Sequence, residues 1–135
     1  MHENFFHTLK VYYEDTDAGG VVYYANYLKF LERARTEYFR TLGYNKLALL
    51  RGSQLVVRDV SLRYIKPAYL DDQLFVSGSI KKVSSFSLEM TQNILRDESV
   101  IAKARLKLAC IDPLTKTLSK FPQTIFEELK SRIHK

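Results

Sequence analysis

Apolar and β-prone residues alternate with polar ones through Phe6-His7-Thr8-Leu9-Lys10-Val11-Tyr12-Tyr13, which predicts a first strand over residues 6–13. An Asp- and Gly-rich segment then breaks the alternation. From about residue 23 to 42 the period changes: Tyr27, Phe30 or Leu31, Ala34, Tyr38 and Leu42 recur at helical spacing, with Lys29, Glu32, Arg33, Glu37 and Arg40 largely between them. This predicts one amphipathic helix of about five turns. Gly43 stands at its end as a C-cap glycine. Residues 46–53 give a weak pattern, and four β-like stretches follow at 55–65, 74–83, 86–95 and 100–111. Pro67 and Asp71-Asp72 mark the first gap, and Asp97-Glu98 predicts a tight hairpin between the last two stretches. Asp112-Pro113 and Pro122 close the β region. Residues 125–133 predict a short terminal helix, with Lys130, Arg132, His134 and Lys135 fraying into solvent.

The order is one strand, one long helix, then a run of strands without βαβ alternation. That order argues an α+β fold; several such folds share it, among them a long central helix wrapped by one curved, five-stranded antiparallel sheet, the hotdog architecture. A sheet of this kind leaves edges open, so pairing of copies through an edge is expected. The 135 residues, 46% of them hydrophobic, fit a single domain over residues 1–135 that buries enough surface to fold without disulfides. No linker, repeat or low-complexity tract divides them.

Charge narrows the partners without choosing one. Lys and Arg outnumber Asp and Glu 21 to 15, a formal +6, which favours anionic ligands. The basic residues are dispersed, and neither a recognition helix nor an aromatic-basic ribonucleoprotein motif is present, which argues against nucleic acid. A lone cysteine, Cys110, permits no internal disulfide and no thiolate metal cluster; a reducing cytoplasm is the expected setting. Residues 1–7 do not read as a signal peptide, and no stretch approaches the roughly 18 apolar residues that span a bilayer. His2, His7 and His134 lie near the chain ends, without metal-ligand spacing. Their placement weighs against a histidine-dependent dehydratase. No G-x-S-x-G elbow occurs, which removes the α/β-hydrolase route.

Candidate chemistry concentrates in residues 12–27. That run holds three carboxylates (Glu14, Asp15, Asp17), two glycines and five tyrosines at the entrance to the predicted helix. Ionised side chains, backbone open to a ligand, and the positive end of a helix come together here, and few purely structural segments need all three. Spacing alone does not separate Asp17 from Asp15. Gly19 and Gly20 either clear space for a ligand or turn the chain into the helix. Asn26 either hydrogen-bonds near a substrate carbonyl or caps local backbone. Tyr23, Tyr24 and Tyr27 read as packing residues with polar tips. Glu32 and Glu37 read as helix-surface partners of nearby arginines.

The run Val11-Tyr12-Tyr13-Glu14-Asp15-Thr16-Asp17-Ala18-Gly19-Gly20-Val21-Val22-Tyr23-Tyr24-Ala25-Asn26-Tyr27, continued by Leu31-Glu32-Arg33-Ala34-Arg35-Thr36-Glu37, closely resembles the YbgC-like branch of the 4-hydroxybenzoyl-CoA thioesterase family. A second matching block is Tyr64-Ile65-Lys66-Pro67-Ala68-Tyr69-Leu70-Asp71-Asp72-Gln73-Leu74. With Ser84-Ser85-Phe86 and Asp112-Pro113 the likeness spans essentially the whole chain. The resemblance implies a hotdog acyl-CoA thioesterase, a homodimer or homotetramer with active sites at the dimer interface. It places the catalytic carboxylate on Asp17 and the oxyanion donor on the backbone N–H of Tyr24. Many YbgC-like sequences carry histidine at that position, where the 4-hydroxybenzoyl-CoA enzymes carry tyrosine; the expected role belongs to the N–H. Asp17 then acts as general base on water or as nucleophile on the thioester carbonyl.

By the same resemblance, Ser84 and Ser85 fall near a pantetheine site. The CoA phosphates call for cations, with Arg63 and Lys66 as first candidates and Lys81, Lys82, Lys103 and Arg105 beside them. No cofactor is expected, coenzyme A being part of the substrate, and no metal. Branch membership points to fatty acyl-CoA, with acyl carrier protein thioesters as a further substrate and partner and an aromatic acyl-CoA as runner-up. A contrasting reading is a binding module that holds acyl-CoA or acyl carrier protein without turnover. Asp17 discriminates, because an ionised carboxylate beside a thioester serves hydrolysis rather than binding.

Overall fold

The computed structural model describes residues 5–44, 49–50 and 52–133. Residues 1–4 and 134–135, including His2, His134 and Lys135, lie outside the described residues, as does most of the weakly patterned segment around residue 46. The elements run β1 (Phe6–Lys10), a 3-10 turn (Tyr13–Asp15), α1 (Asn26–Thr41), β2 (Leu49–Leu50), β3 (Ser53–Tyr64), β4 (Gln73–Ser77), β5 (Ser79–Val83), β6 (Ser87–Arg96), β7 (Ser99–Ile111) and α2 (Gln123–Ser131). All strand pairings are antiparallel, in the order β1-β4-β6-β7-β3-β2, with β5 also paired to β6.

Among the described residues the sheet has seven strands, where the sequence pattern predicts five. One addition is the two-residue β2, paired to Ser53 and Gln54. The other arises because the predicted strand 74–83 is divided at Gly78. Val76 faces Ile94 and Ser79 faces Thr91, so β4 and β5 keep one register along β6. Between them, side chains replace ladder bonds: the Ser77 hydroxyl accepts the Asn93 N–H at 2.8 Å, and Gln92 Nε2 donates to the Ser77 carbonyl at 3.2 Å. A Cβ at Gly78 would lie 3.5 Å from the Tyr38 ring, an ordinary van der Waals contact, so the break rests on the Gln92 and Asn93 bonds and not on the glycine.

Helix α1 buries Tyr27, Phe30, Leu31, Ala34, Arg35, Tyr38 and Phe39, an unbroken i, i+3, i+4 stripe. It starts three residues later than the sequence pattern predicts, because Tyr23, Tyr24 and Ala25 form a tight turn rather than α-helix. At the far end the cap falls where expected. Gly43 adopts φ +95° and donates to the Arg40 carbonyl, while the Tyr44 N–H reaches back to Phe39, a Schellman motif. The N-terminal half of α1 packs with Val11, Val22, Leu74, Val76, Ile94 and Ile101. The C-terminal half shares a second cluster with Ile80, Leu88, Met90, Cys110 and the α2 residues Ile125 and Leu129. α2 itself starts and ends two residues before the predicted 125–133.

On the stripe, between residues of the two clusters, lies Arg35. Its guanidinium donates to Gln92 Oε1 at 3.1 Å, and Gln92 Nε2 donates onward to the Leu31 carbonyl at 3.0 Å. Burial pulls the Arg35 guanidinium below its ordinary pKa, with Glu32 opposing. Helix and sheet are therefore tied through polar groups inside an otherwise apolar layer.

Candidate active site

The Asp/Gly-rich run folds as a small hairpin set against the start of α1. Thr16 and Val22 bridge, the Asp17 N–H donates to the Val21 carbonyl at 2.8 Å, and the Gly20 N–H donates to the Asp17 carbonyl at 3.1 Å. Gly20 sits at φ +83°, a conformation an L side chain resists. Gly19 matters for a different reason. A Cβ there would come within 3.2 Å of Asp17 Oδ1, which already accepts the Gly19 N–H at 2.8 Å. The glycines thus shape the loop that presents Asp17, whose own side chain is exposed.

Asp15 and Asp17 part company here. Asp15 is buried, and its Oδ2 accepts the Tyr12 N–H at 2.9 Å. Its backbone carbonyl accepts both the Tyr23 N–H (2.9 Å) and Asn26 Nδ2 (3.0 Å). Asp15 and Asn26 therefore fasten the hairpin to the helix. Asp17 is exposed, and its Oδ2 accepts no hydrogen bond among the described residues.

Backbone accounting at the helix start is informative. Asn26, Tyr27 and Leu28 donate to the carbonyls of Tyr23, Tyr24 and Ala25 at 2.8, 3.3 and 3.2 Å. The N–H groups of Tyr24 and Ala25 meet no acceptor among the described residues. They are two adjacent donors at the positive end of a 16-residue helix.

Beside them opens a cavity of about 280 Å³ lined by Val22, Tyr24, Tyr27, Tyr64, Ile65, Lys66 and Pro67. It brings Tyr24 and Lys66 together; Lys66 Nζ donates to Ser99 Oγ at 3.1 Å. The 66–74 block is held by Arg96, which hydrogen-bonds the Pro67 carbonyl and pairs with Asp72, both at 2.8 Å. Arg63 lies on β3, exposed, opposite Lys103 of β7. Ser84 and Ser85 lie in the β5–β6 turn, where the Ser84 N–H donates to Ser87 and the Ser85 carbonyl accepts from Phe121. That turn is at the Ser87 end of β6, whereas Pro67 is tied to Arg96 at the other end, about 30 Å away along the strand. Within one protomer the serines do not join the Asp17 loop. Among the described residues, no group of three or more His, Cys, Asp or Glu side chains is placed to hold a metal ion.

A family model described as the thioesterase-like superfamily matches residues 11–132. The chain belongs to this superfamily. Its YbgC-like character rests on closer relatives. It is 41% identical to the Haemophilus influenzae acyl-CoA thioesterase YbgC, covering 99% of this chain and 97% of that one. It is likewise 41% identical to the Escherichia coli acyl-CoA thioester hydrolase YbgC over 90% and 92% of the two chains. Among solved structures, a probable thioesterase from Bartonella henselae superposes with a TM-score of 0.82 at 32% identity, covering 87% of this chain and 98% of that one. The hotdog fold and the YbgC-like branch expected from the sequence are both borne out. The protein is an enzyme, a thioester hydrolase.

Sequence reasoning missed two contributors to this region, Tyr64 and Arg96. Both lie inside or beside strands whose alternation reads as ordinary sheet. The only sequence signal for Tyr64 was its place at the head of the second matching block.

Proposed function

We propose that this chain hydrolyses fatty acyl-CoA thioesters, with acyl carrier protein thioesters as a further substrate, and that Asp17 acts as general base. Its substrate class follows that of the YbgC relatives, acyl-CoA. The observation that supports the reading is that one hairpin–helix junction carries both an exposed carboxylate, Asp17, with Oδ2 unbonded among the described residues, and two N–H groups, of Tyr24 and Ala25, that meet no acceptor there. Water loses a proton to Asp17 as its oxygen attacks the thioester carbonyl carbon. The carbonyl oxygen gains negative charge, which the Tyr24 N–H and the helix dipole stabilise; such donors contribute about 3 to 4 kcal/mol. The C–S bond then breaks, the acid departs, and the proton held by Asp17 passes to the thiolate. The Gly19 N–H bond to Oδ1 fixes the carboxylate and leaves Oδ2 for water, as the base role requires.

The full site on this reading is built from two protomers. Beyond its short pairing with β2, the outer edge of β3 carries no partner strand among the described residues, and Val57 and Val60 along it are exposed. Pairing there brings the Ser84-Ser85 turn of one copy toward the Asp17 loop of the other, with Arg63 and Lys66 as cations for the CoA phosphates.

The test is thiol release from short, long and aromatic acyl-CoAs. Asp17→Asn is expected to lower turnover at least about a hundredfold, roughly 2.7 kcal/mol, with folding retained. Wild-type-like turnover in the variant removes Asp17 from the mechanism. Wild-type protein inert on every thioester favours the binding-module reading.

A further inference from the structure

Tyr64 occupies the last position of β3, forty residues from Tyr24, yet its phenol donates to the Tyr24 carbonyl at 3.0 Å. Its ring meets Tyr27 edge-on at 5.1 Å and Tyr24 edge-on at 6.3 Å. Tyr24 itself is exposed, with 62% of its surface open, and it stands in the turn before α1 rather than in the helix. Other bonds hold that turn as well: the Tyr23 N–H to Asp15 upstream, the Asn26 N–H to the Tyr23 carbonyl at 2.8 Å and the Leu28 N–H to the Ala25 carbonyl at 3.2 Å around it, and the 3.3 Å bond from the Tyr27 N–H to the same Tyr24 carbonyl downstream. The downstream one is long for an N–H···O bond.

We infer that Tyr64 is a positioning residue for thioester hydrolysis: by holding the Tyr24 carbonyl, it fixes the plane of the Tyr24–Ala25 peptide and so aims the Ala25 N–H, beside that of Tyr24, toward the developing oxyanion. This rests on the proposed reading of those N–H groups as oxyanion donors. The physical argument is one of preorganisation. Donors stabilise an oxyanion to the extent that they are already aimed, and a donor on a loosely held turn loses that advantage. The Tyr24–Ala25 peptide puts its carbonyl on the Tyr64 phenol at 3.0 Å and on the Tyr27 N–H at 3.3 Å, and leaves its N–H without an acceptor among the described residues, so the shorter Tyr64 bond is the main restraint on its plane. Burial holds the Tyr64 phenol above the ordinary tyrosine pKa, with Tyr24 adding to the effect, so it stays a donor through the neutral range. The side chain is itself 46% exposed, and losing the hydroxyl leaves the ring contacts in place.

The experiment compares wild type, Tyr64→Phe and Asp17→Asn on acetyl-, decanoyl- and benzoyl-CoA, with thermal unfolding of each. For Tyr64→Phe the expected result is a fall in kcat of about five- to tenfold, equal across the three substrates, with KM and melting temperature unchanged. Equality across acyl groups is the diagnostic, because the thioester carbonyl is common to all three. In parallel, the amide nitrogen resonance of Ala25 is expected to shift in Tyr64→Phe, since its peptide loses a carbonyl partner. A loss confined to one acyl group, or carried in KM, makes Tyr64 a wall of the acyl pocket and overturns the positioning role. So does full activity in Tyr64→Phe while Asp17→Asn is inactive, an outcome that leaves the hydrolase mechanism standing. An unshifted Ala25 resonance overturns it without reference to activity. Failure of wild type on all three thioesters overturns the mechanism and the positioning role together.

Discussion

Two carboxylates two residues apart carry different burdens in this protein. Asp15 is 6% exposed and satisfies the Tyr12 N–H, while Asp17 is exposed and held by one oxygen only. Replacing Asp15 by Ala leaves the Tyr12 N–H without its acceptor, so stability is expected to fall by about 1 to 3 kcal/mol, read from the denaturant midpoint. Asp17→Asn is expected to show the reverse signature, lost turnover with an unchanged midpoint. Equal midpoints for Asp15→Ala and wild type would mean that the Asp15 bond contributes nothing net. The sequence presents the two carboxylates symmetrically. What tells them apart is burial, which goes with the hairpin folding back so that the Tyr23 N–H and the Asn26 amide reach the Asp15 carbonyl, a return that no local spacing announces.

At the scale of elements, legibility follows range. The α1 stripe, its Gly43 cap and the two-residue Asp97-Glu98 turn of β6–β7, with Asp97 at φ 56°, were all readable because each depends on neighbours within a turn or a hairpin. The division of β4 from β5 was not. It depends on Gln92 and Asn93 of another strand taking the Ser77 carbonyl and hydroxyl. Tyr64 was missed on the same ground, since its partner is forty residues away. The aromatic face of α1 also sets a pH limit. Burial raises the pKa of Tyr27 and Tyr38 above the ordinary tyrosine value, against opposing hydrogen bonds from Ala68 and Ile80 and the nearby Arg96 and Arg132 charges. Above about pH 10 unfolded phenols lose protons that the folded ones keep, so the unfolded state binds fewer protons and stability falls as pH rises. Below that pH the contribution is fully present. Tyr38→Phe is expected to flatten the alkaline part of a stability profile measured by urea unfolding from pH 8 to 11. A profile as steep as wild type's counts against this assignment.

For the whole molecule, the separation of the Ser84-Ser85 turn from the Asp17 loop along β6 yields a prediction about assemblies. If each site draws Asp17 from one copy and the serine turn from another, Asp17→Asn chains refolded with chains disrupted at Ser84 and Ser85 regain activity. Random pairing makes half the dimers mixed, each with one intact site, so recovery of about one quarter of wild-type turnover is expected. No recovery would place a complete site within a single chain. Arg35 has a consequence of its own at this scale. A cation seated among apolar side chains, satisfied by one distant amide, makes the interior intolerant of α1 sliding by a turn, because a displaced guanidinium would be buried without its acceptor at a cost of several kcal/mol. The helix therefore docks in a single alignment. Tyr24 lies about three turns upstream of Arg35, so an interior side chain remote from the chemistry sets where the two waiting N–H groups arrive.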